Sequence, residues 1–173
     1  SEVLRGYPEN CPPTIALLRI DSGFAAPFAA KLADMIKPAV KLAADGMVLE
    51  QGTVYIAADP SAHVVVDQWP NGRIRFLDKE SVQGFKPSAS LLYASMAKAG
   101  GKTLGAVLTG MGNDGAQGIK ALKAAGGKTY AQDRETSIVS EAPASAIATG
   151  AVDHVLPLTS LSTAILNACQ DLG

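Results

Sequence analysis

The sequence predicts an α/β fold with a doubly wound, mostly parallel sheet and helices on both faces. Short apolar segments of strand length alternate with segments whose apolar residues recur at helical spacing, which is typical of right-handed βαβ crossovers. Aromatic residues make up 5% of the chain while alanine and glycine are abundant, which favours helices packed closely on a sheet over a β-sandwich. The 173 residues contain no linker and no repeat of fixed period, so we expect one domain over residues 1–173.

Strands are predicted where short apolar runs are bounded by turn residues. Residues 14–20 follow two prolines and are mostly apolar, as expected of a strand buried in a parallel sheet. Residues 63–67 and 73–77 flank Pro70-Asn71-Gly72, so they are expected to pair as an antiparallel hairpin with one wet face. The remaining predicted strands are residues 40–43, 53–57, 104–108, 129–132 and 152–155.

Prolines and glycines mark the ends of the predicted helices. Pro27 opens one helix, because a proline at the first helical position loses no hydrogen bond, and Pro38 ends it. A last helix over residues 158–172 takes Thr159 or Ser160 as its N-cap. The other predicted helices cover residues 87–98, 116–125 and 143–149, and the first two of these stop at Gly-Gly pairs.

Composition excludes several classes of protein. With 47% apolar and 18% charged residues the chain is not disordered, and no apolar run approaches the ~20 residues that span a bilayer. A formal net charge of −1 provides no electrostatic attraction to nucleic acid or to an acidic membrane surface. Cys11 and Cys169 are too few for a disulfide scaffold, and no secretory signal opens the chain, so we expect free thiols and a cytoplasmic protein.

A glycine-rich loop, Gly110-Met111-Gly112-Asn113-Asp114-Gly115, lies between a predicted strand and a predicted helix. Its glycines fit the G-x-G-x-x-G pattern of dinucleotide-binding proteins, with Asp133 about 20 residues further on. Asp114 argues against that interpretation, because a carboxylate at the helix N-terminus competes with a phosphate for the same amides.

Two interpretations of Asp114 itself remain open. Backbone amides and the helix dipole would favour its charged form, which suits the third member of a hydrolytic triad. The alternative is that Asp114 simply caps a helix.

The loop and its surroundings resemble the catalytic domain of the CheB-type chemotaxis protein-glutamate methylesterase family. The resemblance is carried by LTGMGNDGAQGIKALKAAGG and AQDRETSIVSEAPASAIATGAVDHVLPL. It extends through FAAKLADMIKPAVKLAADGMVLEQGTVYIAADPSAHVVV and KPSASLLYASMAKAGGKTLGAVLTG, and so covers nearly the whole chain. It implies a doubly wound sheet with an antiparallel ribbon beside the active site.

The resemblance also implies a function. Members hydrolyse glutamyl methyl esters of chemoreceptors during adaptation, with a Ser-His-Asp triad and without metal or cofactor. The implied partner is the cytoplasmic region of a chemoreceptor, and full-length members usually carry an N-terminal receiver domain, to which nothing here corresponds. Within the loop, Asp114 corresponds to the triad acid and Met111 to a neighbour of the oxyanion site. The other loop residues assigned to binding are Gly110, Gly112, Asn113 and Gly115.

The sequence departs from the family pattern at positions that carry catalytic or other active-site residues. The segment that carries the family's catalytic histidine aligns with residues 19–24, which places Arg19 at the base position. A guanidinium stays protonated and has no lone pair with which to accept a serine proton. A second segment places Phe85 and Ser90 where family members have a histidine and an aspartate. We expect Arg19 to form a two-pronged ion pair with Asp114.

The nucleophile is not found either. The family's glycine-rich serine turn and first strand have no counterpart in the sequence, and Ser1 lacks the glycines that present a nucleophile. We expect His63 and His154 to be structural or surface histidines. The favoured hypothesis is therefore an impaired or inactive methylesterase. The alternatives are a non-catalytic binding or regulatory domain of the same fold, and a dinucleotide-binding domain that uses Gly110, Gly112 and Gly115.

Overall fold

The computed structural model describes residues 1–171 and separates into two compact units, with the boundary between Ser88 and Ala89. The predicted α/β class is confirmed, since each unit contains a parallel three-stranded sheet with helices. The predicted antiparallel hairpin is also present, in the first unit. Among residues 1–171, no helix combines the length and the apolar character that a bilayer-spanning helix needs. The single domain over residues 1–173 stays a prediction.

The first unit is built around a short, buried parallel strand. In its sheet the order is β1-β3-β2, and the partners of the central strand run parallel to it. The hairpin pairs β4 with β5. The elements in chain order are α1 (Glu2–Arg5), β1 (Thr14–Leu17), α2 (Ser22–Ala33), β2 (Ala39–Leu42), β3 (Thr53–Ala57), β4 (His63–Asp67) and β5 (Arg73–Leu77).

Strand β3 is mostly apolar because both of its faces are covered. Successive side chains of a strand point to opposite faces, so its residues divide into two sets. Val54 and Ile56 pack in one cluster with Leu32 of α2. Tyr55 and Ala57 pack in a second cluster with residues of the hairpin. All five residues of β3 are buried, as a strand covered on both sides requires.

Helix α2 begins at Ser22, five residues before the predicted start, so the prediction that Pro27 opens it is wrong. Ala25 packs against the same core as Phe28, and this tertiary contact extends the helix upstream. Pro27 lacks one N–H, which costs a single backbone hydrogen bond in an otherwise intact helix. The helix ends at Ala33, before the predicted stop at Pro38.

The second unit has a sheet of order β6-β7-β8, in which all neighbours are parallel. A 3₁₀ segment, Ala97–Lys102, follows its first helix. Apolar residues from β6, α4 and α5 form its core: Val107, Ile119, Ala142 and Ala146. The elements are α3 (Ala89–Met96), β6 (Leu104–Val107), α4 (Ala116–Ala124), β7 (Lys128–Gln132), α5 (Glu141–Ala148), β8 (His154–Leu156) and α6 (Leu158–Asp171).

The N-cap of α6 and the start of α5 differ from the prediction. Helix α6 begins at Leu158, as predicted, so Thr159 and Ser160 lie inside its first turn and neither is the N-cap. The first-turn amide of Leu158 donates instead to the Thr136 hydroxyl at 3.0 Å, a partner distant in sequence. Helix α5 begins two residues before Pro143, which still lies in the first turn, where the missing N–H needs no intrahelical partner. The predicted end of α6 at residue 172 lies outside the described residues.

We predict that Gly118→Ala destabilises the protein. A Cβ at Gly118 would lie 2.7 Å from the backbone of Ser90 and 2.8 Å from Tyr93 Cβ, so α3 and α4 would have to separate. Such overpacking costs about 1–3 kcal/mol, measurable by urea unfolding. Gly23→Ala, in α2, is the matched control, because nothing lies within 4 Å of its Cβ position. It should be neutral or stabilise by up to about 1 kcal/mol. Equal effects of the two substitutions would contradict this account of Gly118.

Candidate functional site

The glycine-rich loop leaves β6 and leads into α4, as the sequence predicts. Gly112 and Gly115 have φ of 75° and 94°, a left-handed conformation that side chains with a Cβ rarely adopt. Gly115 occupies the N-cap position of α4. Met111 projects outward, with 71% of its surface exposed. The glycines are therefore needed for the sharp turn itself.

The start of α5 holds the loop in place. Gly110 donates its N–H to the carbonyl of Val139 at 2.9 Å, and its own carbonyl accepts from Ala142 N–H at 3.0 Å. Gly112 N–H donates to the Glu141 carboxylate at 2.7 Å. Together with Gly115 N–H, which donates to the hydroxyl of Ser90, these bonds engage all three glycine amides that the G-x-G-x-x-G pattern would offer to a pyrophosphate.

Gln132 fixes the residue that precedes the loop. Its buried side chain accepts from Thr109 N–H at 2.9 Å and donates to the carbonyl of Thr136 at 2.8 Å. The Thr109 hydroxyl bonds to both the carbonyl and the N–H of Val139. Asp133, the acidic residue of the dinucleotide pattern, accepts from the N–H and hydroxyl of Thr136. Its carboxylate is therefore bonded within the turn that follows β7.

The carboxylate of Asp114 binds the N-terminus of α3, not that of the helix it precedes. It accepts from Ala89 N–H at 2.7 Å and from Ser90 N–H at 3.2 Å, the first two amides of α3. Asp114 is only 3% exposed, so these charge-assisted bonds compensate for removing the carboxylate from water. Of the two interpretations from sequence, a helix cap describes this geometry, although the capped helix lies about 25 residues earlier.

The side chain of Ser90 in turn caps the N-terminus of α4. Its hydroxyl accepts from Gly115 N–H at 3.0 Å and from Gly118 N–H at 3.4 Å, two amides at the N-terminus of α4. The Asp114 side chain, which precedes α4, therefore caps α3. The Ser90 side chain, which belongs to α3, caps α4. We call this arrangement the reciprocal cap. It satisfies first-turn amides that have no partner within their own helices.

Tyr93 lies beneath the reciprocal cap. Its hydroxyl donates to the carbonyl of Ala106 in β6 at 2.7 Å. Burial raises the pKa of Tyr93 well above its usual value, and the negative charge of Asp114 raises it further. Tyr93 therefore stays a neutral hydrogen-bond donor that ties α3 to the strand before the loop.

In the first unit, Arg19 contacts Phe85. The guanidinium carbon of Arg19 lies 4.6 Å from the centre of the Phe85 ring, within the range of a cation–π interaction. These are two of the positions at which the sequence departs from the family pattern, and the structure brings them into contact. The ion pair of Arg19 with Asp114 would join the two units and stays a prediction.

A cavity of about 560 Å³ in the same unit includes Arg19 in its wall. Its charged lining residues are Arg19, Asp21 and Lys86, and its apolar lining includes Ile20, Phe24 and Pro60. Lys86 donates to Asp78 at 3.1 Å, and the Asp78 side chain is 94% exposed. The cavity is thus a mixed apolar and cationic site at the start of α2.

The histidines are placed as the sequence predicts. His63 is fully buried, accepts from Ser88 N–H at Nδ1 and bonds through Nε2 to the carbonyl of Glu80. Since Nδ1 accepts, Nε2 carries the proton, and both nitrogens are committed to the backbone. His154 lies exposed on β8 beside the ring of Tyr130. Within residues 1–171 no three His, Cys, Asp or Glu side chains cluster as metal ligands would.

With this geometry established, comparison with known proteins identifies the family. The model of the CheB methylesterase family matches residues 1–165. The chain belongs to the CheB methylesterase family. The crystal structure of the CheB methylesterase catalytic domain of Thermotoga maritima superposes with a TM-score of 0.91 at 28% identity, covering 96% of this chain and 89% of that one.

Curated relatives agree with this assignment. A protein-glutamate methylesterase/protein-glutamine glutaminase of Caulobacter vibrioides is 39% identical over 166 residues, which are 95% of this chain and 48% of that protein. A relative of the same name from the group 3 operon of Rhizobium meliloti is 44% identical over 162 residues, 92% of this chain and 45% of that protein. The chain thus spans about half the length of the curated relatives it matches.

Sequence reasoning missed three contributors to this CheB-type loop. The resemblance identifies Ser90 only as the replacement of a family aspartate, whereas the structure shows that its hydroxyl caps α4. Glu141 and Gln132 hold the loop from elements that follow it. An acidic residue in the first turn of a predicted helix was the one available signal for Glu141. Nothing local points to Gln132, because its partners depend on the pairing of β6 with β7.

We predict that Asp114→Asn lowers the free energy of unfolding by about 1–3 kcal/mol. The amide that replaces the carboxylate keeps one acceptor oxygen and turns an NH₂ toward a second donor, so a first-turn amide of α3 loses its partner. Urea unfolding followed by circular dichroism measures the loss. The control is Glu135→Gln, an exposed carboxylate outside the reciprocal cap, which should change stability by less than about 0.5 kcal/mol. Asp114→Asn that unfolds like the wild type would contradict the capping role.

Proposed function

We propose that this chain is a protein-glutamate methylesterase domain of chemotaxis signalling in which ester hydrolysis is impaired. Its proposed partner is the cytoplasmic region of a chemoreceptor, and the proposed setting is the cytoplasm. Family membership supports the substrate class, since the relatives are named protein-glutamate methylesterases. The observation that carries the impairment is Arg19 at the position that the resemblance assigns to the general base.

Arg19 cannot perform the chemistry of a base. A guanidinium remains protonated throughout the physiological pH range and offers no lone pair, so it cannot take a proton from an attacking hydroxyl. Its position over the Phe85 ring further favours a cation at this place. His63 offers no substitute, because backbone groups occupy both of its ring nitrogens.

The loop residues keep a proposed role in this function. Asp114 is the proposed counterpart of the triad acid, and Met111, with its exposed side chain, the neighbour of the oxyanion site. In this chain the carboxylate is already held by two amides of α3, so its position does not depend on an imidazole. Gly110, Gly112, Asn113 and Gly115 form the proposed binding loop. A receiver domain, which CheB proteins usually carry, is the proposed regulatory partner.

A non-catalytic binding or regulatory domain is the second candidate. The contact between Arg19 and Phe85 favours it, because the resemblance assigns both positions to polar residues of the site, whereas here a cation and an aromatic ring pack together. Dinucleotide binding has less support, since the three glycine amides of the loop and the carboxylate of Asp133 all have partners within the chain.

Methanol release from methylated receptor membranes tests the impairment. We predict that the complete protein releases methanol no faster than its Asp114→Asn variant. Where the complete protein supplies a serine nucleophile, Arg19→His should increase release at least tenfold, because a positioned general base contributes about 10²–10⁴ in rate. Arg19→Lys is the control, since it keeps the charge and should show no gain. Wild-type release that falls a hundredfold in Asp114→Asn would contradict the proposal.

A further inference from the structure

One buried histidine bonds both ends of a single segment. His63, the first residue of β4, is fully buried. Its Nδ1 accepts from Ser88 N–H at 3.0 Å, and its Nε2 bonds the carbonyl of Glu80 at 2.9 Å. A backbone amide can only donate, so Nδ1 is unprotonated and the ring is neutral, with its proton on Nε2. We call residues 80–88, whose two ends this ring fastens to the hairpin, the strap.

Between its ends the strap keeps its own shape. Val82 N–H donates to the carbonyl of Phe85 at 3.0 Å, and Phe85 N–H donates back to the carbonyl of Val82 at 2.9 Å. Gln83 and Gly84 between them have φ of 52° and 84°, as in the two-residue turns that close hairpins. Because the tip is ordered by its own backbone, a change at His63 acts on the attachment of the strap and not on its internal fold.

The Ser88 end of the strap forms part of the cavity wall. Lys86 and Pro87 line the cavity, and both Pro87 and Ser88 are buried. Lys86 also bonds Asp78, but the Asp78 side chain is 94% exposed, and ion pairs with so exposed a carboxylate contribute little to stability. The bond from Ser88 N–H to the imidazole is therefore a buried attachment of this part of the wall.

The hairpin places His63 on its polar face. Successive residues of a strand alternate between faces, so His63 lies on the same face as Asp67 and, from β5, Arg73 and Arg75. Asp67 accepts from Arg75 at 3.1 Å, and Arg73 donates to a side-chain amide oxygen and a backbone carbonyl of the same unit. Val64, on the opposite face, packs in the apolar cluster with residues of β3. The charged groups of the polar face are thus bonded to partners other than the imidazole.

The chain segments next to the hairpin carry the other charges. Asp78 bonds Lys86 at 3.1 Å, and the charged side chains of residues 79–80 are exposed. Asp59, in the turn before β4, accepts from the N–H and hydroxyl of the serine two positions further on. These two bonds hold the pKa of Asp59 below its usual value. Because these carboxylates already have partners or face water, a positive charge on the imidazole gains little compensation from them.

Protonation of the imidazole acts on one of its two bonds. Histidine is the side chain that ordinarily changes charge between about pH 5 and 8. A proton added at Nδ1 faces Ser88 N–H, so two donors meet and that bond is lost. Nε2 still donates to the Glu80 carbonyl, and the charge strengthens this second bond. The bond to Ser88 is therefore present at the upper end of this pH range and lost as the pH falls.

We propose that His63 is a pH-sensitive latch of the strap: the neutral ring holds both ends, and protonation loosens the Ser88 end together with the cavity wall beside it. Ser88 takes part in a further interaction, so this end loosens without detaching. Access to the cavity thus increases as the pH falls. The inference rests on contacts within residues 1–88 and does not depend on the proposed function.

Nuclear magnetic resonance of the complete protein tests the latch between about pH 8 and 5. Long-range nitrogen spectra show which ring nitrogen of His63 carries a proton, and hydrogen exchange measures the protection of the Ser88 amide. That protection, corrected for the intrinsic effect of pH on exchange, should fall at least tenfold as Nδ1 becomes protonated. The amide of Ile74, which donates to the Met47 carbonyl at 2.7 Å, should keep its protection.

Two glutamine variants separate His63 from general effects of acid. His63→Gln cannot gain a proton at this position, so the pH dependence at Ser88 should disappear. His154→Gln removes the other histidine of the chain, which is exposed on β8, and should leave that dependence unchanged. Where His63→Gln does not fold, the ring titration of the wild type decides.

Ser88 protection that stays constant while His63 gains its proton would overturn the inference. So would an imidazole that remains neutral until Ser88 and Ile74 lose protection together, because the transition would then be global unfolding. A pH dependence at Ser88 that persists in folded His63→Gln, or that disappears in His154→Gln, would contradict the latch as well.

Discussion

The hydrogen bonds from the first turn of α3 to the Asp114 carboxylate are the interaction on which the geometry of the second unit depends. A buried carboxylate is costly unless its oxygens are bonded, and a helix N-terminus has amides that need acceptors, so each group meets the requirement of the other. Ser90 repeats the arrangement in the opposite direction, and Gly118 lets the two helices approach closely enough for both. The reciprocal cap thereby sets the positions of α3, the glycine-rich loop and α4 together.

The reciprocal cap gives the glycine-rich loop a structural role that does not depend on catalysis. In a triad the acid orients an imidazole, but here the carboxylate has structural partners that are independent of any histidine. The loop can therefore be retained for stability even where, as we propose, Arg19 takes the place of the general base. In the first unit, Arg19 lines the cavity and contacts Phe85. The buried strand β3 lies at the centre of that unit's sheet.

Sequence patterns correctly predicted the elements that are determined by residues close together in the chain. The hairpin followed from Pro70-Asn71-Gly72, and β3 from a short, mostly apolar run, and both are confirmed with their bounds. The start of α2 was wrong, because packing of Ala25 on the core outweighed the rule that places proline first. The N-cap of α6 was wrong because its donor bonds Thr136, far away in sequence. Asp114 was identified as a held anion, but its partners in α3 depend on tertiary structure that no local pattern contains.

The most direct test of the capped carboxylate is amide hydrogen exchange, measured by nuclear magnetic resonance in the wild type and in Asp114→Asn. In the wild type the amides of Ala89 and Ser90 should exchange with solvent far more slowly than those of an exposed turn, because both donate to the Asp114 carboxylate. At least one of the two should exchange faster in Asp114→Asn, which keeps only one acceptor oxygen. Wild-type amides of Ala89 and Ser90 that exchange at the rate of exposed residues, or exchange that the substitution leaves unchanged, would contradict the capping role from which the rest follows.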